Sequence, residues 1–340
     1  MRRWLTATLI VACDRGVPPE LEAEGIASPA PASVHAPSSN INPRLLRRFR
    51  PVAGAPQLVK TAAQIALGRK LFSEPRLSVH EDLTCSSCHV LDAYGVDHRR
   101  TSVGSDGQVG SRNAPTVFNT AGHIAQFWDG RSPSVEAQAT QPIFDPREMA
   151  MADAEAVLAR LDTPAYTAAF RDAYPGDPQP ITMAHLSDAI GAFERGLVTT
   201  SRWDAYIAGD TAALTAEEKH GLRVFLEAGC MACHTGPQVG GTSFRQLGLV
   251  EPWPNQDDVG HFAITGTITD RMVFKVPSLK NIRETGPYFH DGSVSHLDEA
   301  IRMMARHQLG LELGDEDVAA IMAWMGSMTG QLDHGYITGT

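Results

Sequence analysis

Four of the five cysteines in this chain fall in two copies of one short pattern, Cys85-Ser-Ser-Cys88-His89 and Cys230-Met-Ala-Cys233-His234. Two thiols at this spacing share one short turn, where both add across the vinyl groups of a single haem. The adjacent imidazole then reaches the iron from one face. Two other chemistries use paired cysteines. Zinc wants clustered ligands, and these motifs start 145 residues apart. A redox dithiol does not need the His. Two covalently bound haem c groups are therefore expected, on Cys85 and Cys88 and on Cys230 and Cys233, with His89 and His234 as iron ligands. Each iron has one more axial position. A filled position means electron transfer and an open one means chemistry. With 13 His and 11 Met in the chain, residue counts do not choose the occupant. Met304 shares a helical face with Leu297 and Ile301; a lone Met there reads by default as core filler, with iron ligation as the alternative.

The elements that must present these residues read as helices. Thr61-x-x-Gln64 and Thr215-x-x-Glu218 are capping boxes, each opening a helix that leads into one Cys-x-x-Cys-His. Thr163-Pro164 places a cap and an N1 proline before another. Residues 186, 189, 190, 193 and 197 form an apolar helical stripe. Ser295-x-x-Asp298 is expected to open a helix through Arg306. Gly314-Asp315 is expected to open the last one, with Val318, Ile321, Met322 and Met325 inward. Strand-like alternation is rare. The expectation is two mainly helical domains, 57–200 and 201–335, each built around one motif.

Ahead of them, Met1-Arg2-Arg3, the apolar stretch from Trp4 and the small residues before Cys13 match an export signal over 1–13. A Cys directly after Val-Ala resembles the acylation site of bacterial lipoproteins, which makes Cys13 the place for a lipid anchor. Eight of the 22 prolines lie between Pro18 and Pro56, so 14–56 reads as an extended tether. Arg44, Arg47, Arg48 and Arg50 cluster at its end, either as a solvated patch or as a contact for acidic lipid or protein. Lys plus Arg is 29 against 39 acidic residues, a formal charge of −10 that argues against nucleic acid as a partner. No run of eighteen apolar residues occurs.

From Leu67 to Gly330 the sequence resembles the bacterial dihaem cytochrome c peroxidases. Besides the two haem motifs, the resemblance is carried by Leu67-Gly-Arg-Lys-Leu-Phe72, Arg112-Asn-Ala-Pro-Thr-Val-Phe-Asn119, Gln126-Phe-Trp-Asp-Gly-Arg131, Phe274-Lys-Val-Pro-Ser-Leu279 and Gly286-Pro-Tyr-Phe-His-Asp-Gly292. It implies a mainly α fold of two cytochrome c-like helical domains, each with one c-type haem. It implies that His89 holds the peroxide-reacting haem, and that His234 and Met304 are the axial pair of an electron-receiving haem. Trp128 matches the tryptophan between the haems, and Gln138 and Glu148 the polar pair over the peroxide face. Without the resemblance, Glu136 or Asp145 would compete with Glu148. Asn113, Thr285 and Pro287 match ligands of a calcium ion.

The implied activity is reduction of hydrogen peroxide to water in the periplasm, with electrons from a small cytochrome c or copper protein. Glu148 would act as the acid–base group. Family members are often dimers. One departure stands out. Many members cap the resting peroxidatic iron with a distal His, and the matching position here is Ser105, so that iron is expected to be open; His98 and His123 are the nearest substitutes. Two other functions fit a dihaem chain. Maturation-type relatives oxidise side chains of a partner protein, and in the methylamine-dehydrogenase-maturing member a Tyr replaces the Met ligand. A pure electron carrier would have both irons capped and no use for Gln138 and Glu148.

Overall fold

The computed structural model describes residues 41–52 and 60–340; the export signal, Cys13 and most of the expected tether lie outside the described residues. Among the described residues helices dominate, and the one regular sheet is an antiparallel pair, Phe244–Gln246 with Val273–Lys275, in which Arg245 faces Phe274. None of the described helices is long and apolar enough to cross a membrane.

Two helix pairs organise the chain, and they are built alike. Helix Ala62–Phe72 crosses Met183–Arg195, and helix Ala216–Glu227 crosses Asp315–Gly326. Both leading helices start on complete capping boxes, at Thr61/Gln64 and Thr215/Glu218. Each crossing is made possible by a glycine. A Cβ on Gly68 would fall 1.8 Å from the Ala189 carbonyl oxygen, and one on Gly221 would fall 1.8 Å from that of Ala320. The expected stripe on Met183–Arg195 faces inward, with Leu186, Ala189, Ile190 and Phe193 buried and Leu197 just beyond the helix end.

Each pair anchors its own core. The first gathers Leu67, Leu71, Phe72, Tyr166, Phe170, Phe193 and their neighbours through Leu197. The second gathers Trp203, Leu222, Phe225, Ile301, Ile321 and Trp324. The chain ends cross over between them. Leu332, Tyr336 and Ile337 pack on the first core, whereas Ile41, Leu45, Leu46 and Phe49 pack on the second.

That crossover corrects the expected tether. Residues 41–52 are folded. Asn42 caps a short helix, Pro43–Leu46; the buried Phe49 ring meets Trp203 edge-on at 5.3 Å, and the Val52 N–H donates to Asp204 at 3.0 Å. Two helix boundaries also differ. The helix expected from Ser295 runs Leu297–Met304 with His296 at its N-cap, and continues as a π turn over Ala305–Leu309. Tyr288 and Val294 form an isolated bridge just ahead of it, and Ser295 lies between that bridge and the helix cap. Asp315–Gly326 is not the last helix, because His334–Thr338 follows. On it Val318, Ile321 and Met325 are buried, and Met322 is half-buried.

Candidate dihaem site

Both Cys-x-x-Cys-His turns open onto one cavity of about 1170 Å³, which all six of their Cys and His residues line. Cys85–Cys88 is one helical turn, and Cys230–Ala232 a tighter one entered through Gly229 in the left-handed region. Burial pushes the Cys85 and Cys230 thiols up to about 12, far from the thiolate that a redox dithiol needs. Among the described residues no three His, Cys, Asp or Glu groups gather as a metal site, which leaves the zinc alternative without ligands.

The two histidines are prepared in the same way. Nδ1 of His89 lies 3.2 Å from the Gly95 carbonyl, and Nδ1 of His234 lies 3.2 Å from that of Val239. A proton held on Nδ1 leaves the Nε2 lone pair for a metal. Burial lowers both pKa values, that of His234 to about 4, so both rings are neutral at pH 7. The thiol pairs, neutral imidazoles and cavity fit two covalently held haems. Buried polar atoms along the wall support the same fit, since both ring nitrogens of His290 and Nε2 of His123 lack a protein partner there.

Further groups line the same cavity. On helix Leu297–Met304 and just past it, Leu297, Ala300, Ile301, Met304 and Ala305 line the cavity. Met303 packs into the cores instead, so Met304 is the thioether this helix offers. Met304 and Trp128 pack against the same cluster of Trp253, Met272 and Phe274. Trp128 is fixed there by its Nε1–H, which donates to the Asn113 carbonyl at 2.9 Å, and by its own carbonyl, which accepts from the Lys275 N–H at 2.9 Å.

Gln138 and Glu148 line the cavity as well, and the negative charge of Glu148 acts on both Cys85 and Cys88. Gln138 rides on helix Val135–Ala139, capped by Ser134. Glu148 sits on a turn closed by its own N–H donating to the Asp145 carbonyl at 2.9 Å. Burial, then the charge of Asp145, raise its pKa. The competing carboxylates are engaged elsewhere. Glu136 is forked onto Arg195 and absent from the wall, and Asp145 is bonded to Arg147.

Ser105 is not on the cavity wall. Its hydroxyl donates to Asp82, and its N–H donates to the Glu148 carbonyl at 2.7 Å. Beside it, a Cβ on Gly104 would lie 2.2 Å from the Arg147 carbonyl oxygen. The loop therefore grips the Glu148 turn. Of the two substitutes, His98 is turned to the Gly286 carbonyl at 3.0 Å, away from the wall, and His123 is on the wall. Asn113, Thr285 and Pro287 each line the cavity and carry neutral oxygens.

Sequence reasoning passed over other wall residues. Arg112 forks onto Asp258 at 2.6 and 2.8 Å and also reaches Asp129 at 2.6 Å. Arg112 and Asp129 lie inside segments that carry the family resemblance, but Asp258 has no spacing signal. Glu194, raised to about 8 by burial and the charge of Glu136, puts a neutral carboxylic acid on the wall near Cys85. Lys275 is buried with its Nζ 3.2 Å from Nδ1 of His123.

The family model for di-haem cytochrome c peroxidase matches residues 62–212. Cytochrome c551 peroxidase of Nitrosomonas europaea is 40% identical over 275 residues, covering 80% of this chain and 81% of that protein. The chain belongs to the di-haem cytochrome c peroxidase family. The Escherichia coli cytochrome c peroxidase Ccp is 41% identical over 290 residues, 83% of this chain. The chain spans only 62% of that relative's length. The methylamine utilization protein MauG of Methylorubrum extorquens is 37% identical over 71% of the chain and 68% of that protein. Among solved structures, a MauG-like protein associated with microbial copper homeostasis superposes with a TM-score of 0.72 at 30% identity. It covers 82% of this chain and 92% of that one.

Proposed function

We propose that this family member is an exported peroxidase that reduces hydrogen peroxide to water with electrons from a small redox protein. Export by the 1–13 signal, with a lipid on Cys13, belongs to the proposal. The carrying observation is the make-up of the one cavity wall. It holds both Cys-x-x-Cys-His motifs, the raised carboxyl of Glu148 whose charge acts on Cys85 and Cys88, the Gln138 amide and the Met304 thioether.

Bound haem would supply an open iron for peroxide at the His89 site and a one-electron relay at the His234–Met304 site. The protein's own groups do the rest. Glu148 accepts the proton from one peroxide oxygen and returns it to the other, so that water is the leaving group. Its raised pKa makes it a stronger base than an exposed Glu. Gln138 donates an amide hydrogen to orient the peroxide. Trp128, bonded to the Asn113 carbonyl and packed on the cluster that also holds Met304, would relay electrons between the two sites. Asn113, Thr285 and Pro287 would hold a calcium ion. Met304 argues against the methylamine-dehydrogenase-maturing type, in which a Tyr stands at that place.

The test is electron paramagnetic resonance of the fully oxidised holoprotein, followed by peroxide assay with reduced cytochrome c. The expected outcome is one high-spin signal and one low-spin His/Met signal, with peroxide reacting before any reduction. Two low-spin signals and no consumption of reduced cytochrome c would make the chain a carrier and overturn the reading.

A further inference from the structure

A cationic edge stands beside the second haem-binding turn of an acidic chain. Arg44, Arg47, Arg48 and Arg50 fall within seven residues, against a formal charge of −10 overall. The apolar residues of the same segment, Leu45, Leu46 and Phe49, are spent on the second core. All four arginines are left exposed. Among the described residues no carboxylate pairs with any of them. The segment is fastened to the motif itself, because the Gly236 N–H donates to the Arg48 carbonyl at 2.8 Å and Gly236 lies two residues past His234. Ala232, between the two thiols, is exposed, and Cys230 and Cys233 are half-buried, so this edge reaches solvent.

We propose that Arg44, Arg47, Arg48 and Arg50 form the docking site for an acidic redox protein that delivers electrons at the Cys230–His234 turn, an inference that rests on the peroxidase reading above. Arginine is weakly hydrated and forks onto carboxylates, so four on one edge recognise an acidic face rather than merely solubilise. Complementary charge raises encounter rates by roughly 10 to 10³ at low salt. An anionic bilayer is the other chemistry four arginines suit. The described segment keeps no apolar face to insert into one, and a bilayer has no use for a place beside an electron-entry edge.

The test uses the full-length holoprotein in stopped flow, with a reduced basic cytochrome c and with the same cytochrome made acidic by succinylation of its lysines. The acidic donor should reduce the second haem at least about tenfold faster at low ionic strength, and the advantage should collapse as salt rises. The combined variant Arg44→Gln, Arg47→Gln, Arg48→Gln, Arg50→Gln should lose that advantage, whereas Lys at all four positions should keep most of it. Equal rates for both donors, or no loss in the Gln variant, overturn the proposal. Co-sedimentation with phosphatidylglycerol vesicles that is lost in the Gln variant while its donor rates hold would assign the patch to lipid and overturn it too. The peroxidase reading fails on a different result, in which the second haem takes up electrons but peroxide does not reoxidise it.

Discussion

At Glu148 burial and the charge of Asp145 raise the carboxyl's pKa, and the weaker pull of Arg131 and Arg147 does not cancel them. A base must be ionised to act, so turnover should fall as pH drops through this carboxyl's pKa, on the high side of the ordinary Glu value. Asp145→Asn removes a charge that raises the pKa, so the acid limb of the pH–rate profile should move to lower pH; an unmoved limb would assign it to another group. Glu148→Gln should cut turnover by about 10² or more while both haem spectra stay as they are, read by peroxide-dependent oxidation of reduced cytochrome c. This carboxylate was only partly legible. Its residue type and spacing pointed to it through the resemblance, but nothing in the sequence shows that Glu136 is consumed by Arg195. The Ser105 hydroxyl on Asp82 is equally hidden, because a contact 23 residues apart in a loop has no periodicity.

Among the elements, the helices were legible where local chemistry decides them. Thr61, Thr163 and Thr215 all cap as their sequence contexts predict. Ser295 does not; the helix starts one residue later on His296, after the isolated Tyr288–Val294 bridge. What the pattern does not announce is how closely the helices approach. Gly68 and Gly221 read as mild liabilities in their helices, yet each is the point where a neighbouring backbone comes into contact. Gly68→Ala and Gly221→Ala should each destabilise by about 1–3 kcal/mol through overpacking, against the gain alanine normally brings. Thermal melts of the two variants check this. The parallel placement predicts that Gly68→Ala weakens the fold around the first haem and Gly221→Ala that around the second, so the two haem absorption bands should respond selectively.

Across the whole molecule, each end of the described chain closes the core built mainly from the other half. Tyr336 is the C-terminal clasp. Its ring stacks on Phe193 at 5.5 Å and 8°, its hydroxyl donates to the Phe193 carbonyl at 2.8 Å, and its own carbonyl accepts from Arg69 at 2.9 Å. Gly196 makes room for it, since a Cβ there would lie 2.0 Å from the Tyr336 hydroxyl oxygen. Phe49 is the N-terminal counterpart, buried on Trp203 beside the second motif. No stretch of sequence shorter than the whole chain encodes this exchange, which is why a proline-rich approach to residue 56 looked like tether throughout. It carries a consequence that local packing alone would not. Tyr336→Ala removes a half-buried ring and should cost about 2 kcal/mol, yet the loss should appear at the first haem, some 250 residues away in sequence. Phe49→Ala should cost about 3 kcal/mol or more and appear at the second. Denaturant unfolding followed separately at the two haem bands decides between this arrangement and two self-contained halves, in which Tyr336→Ala would weaken only the second site.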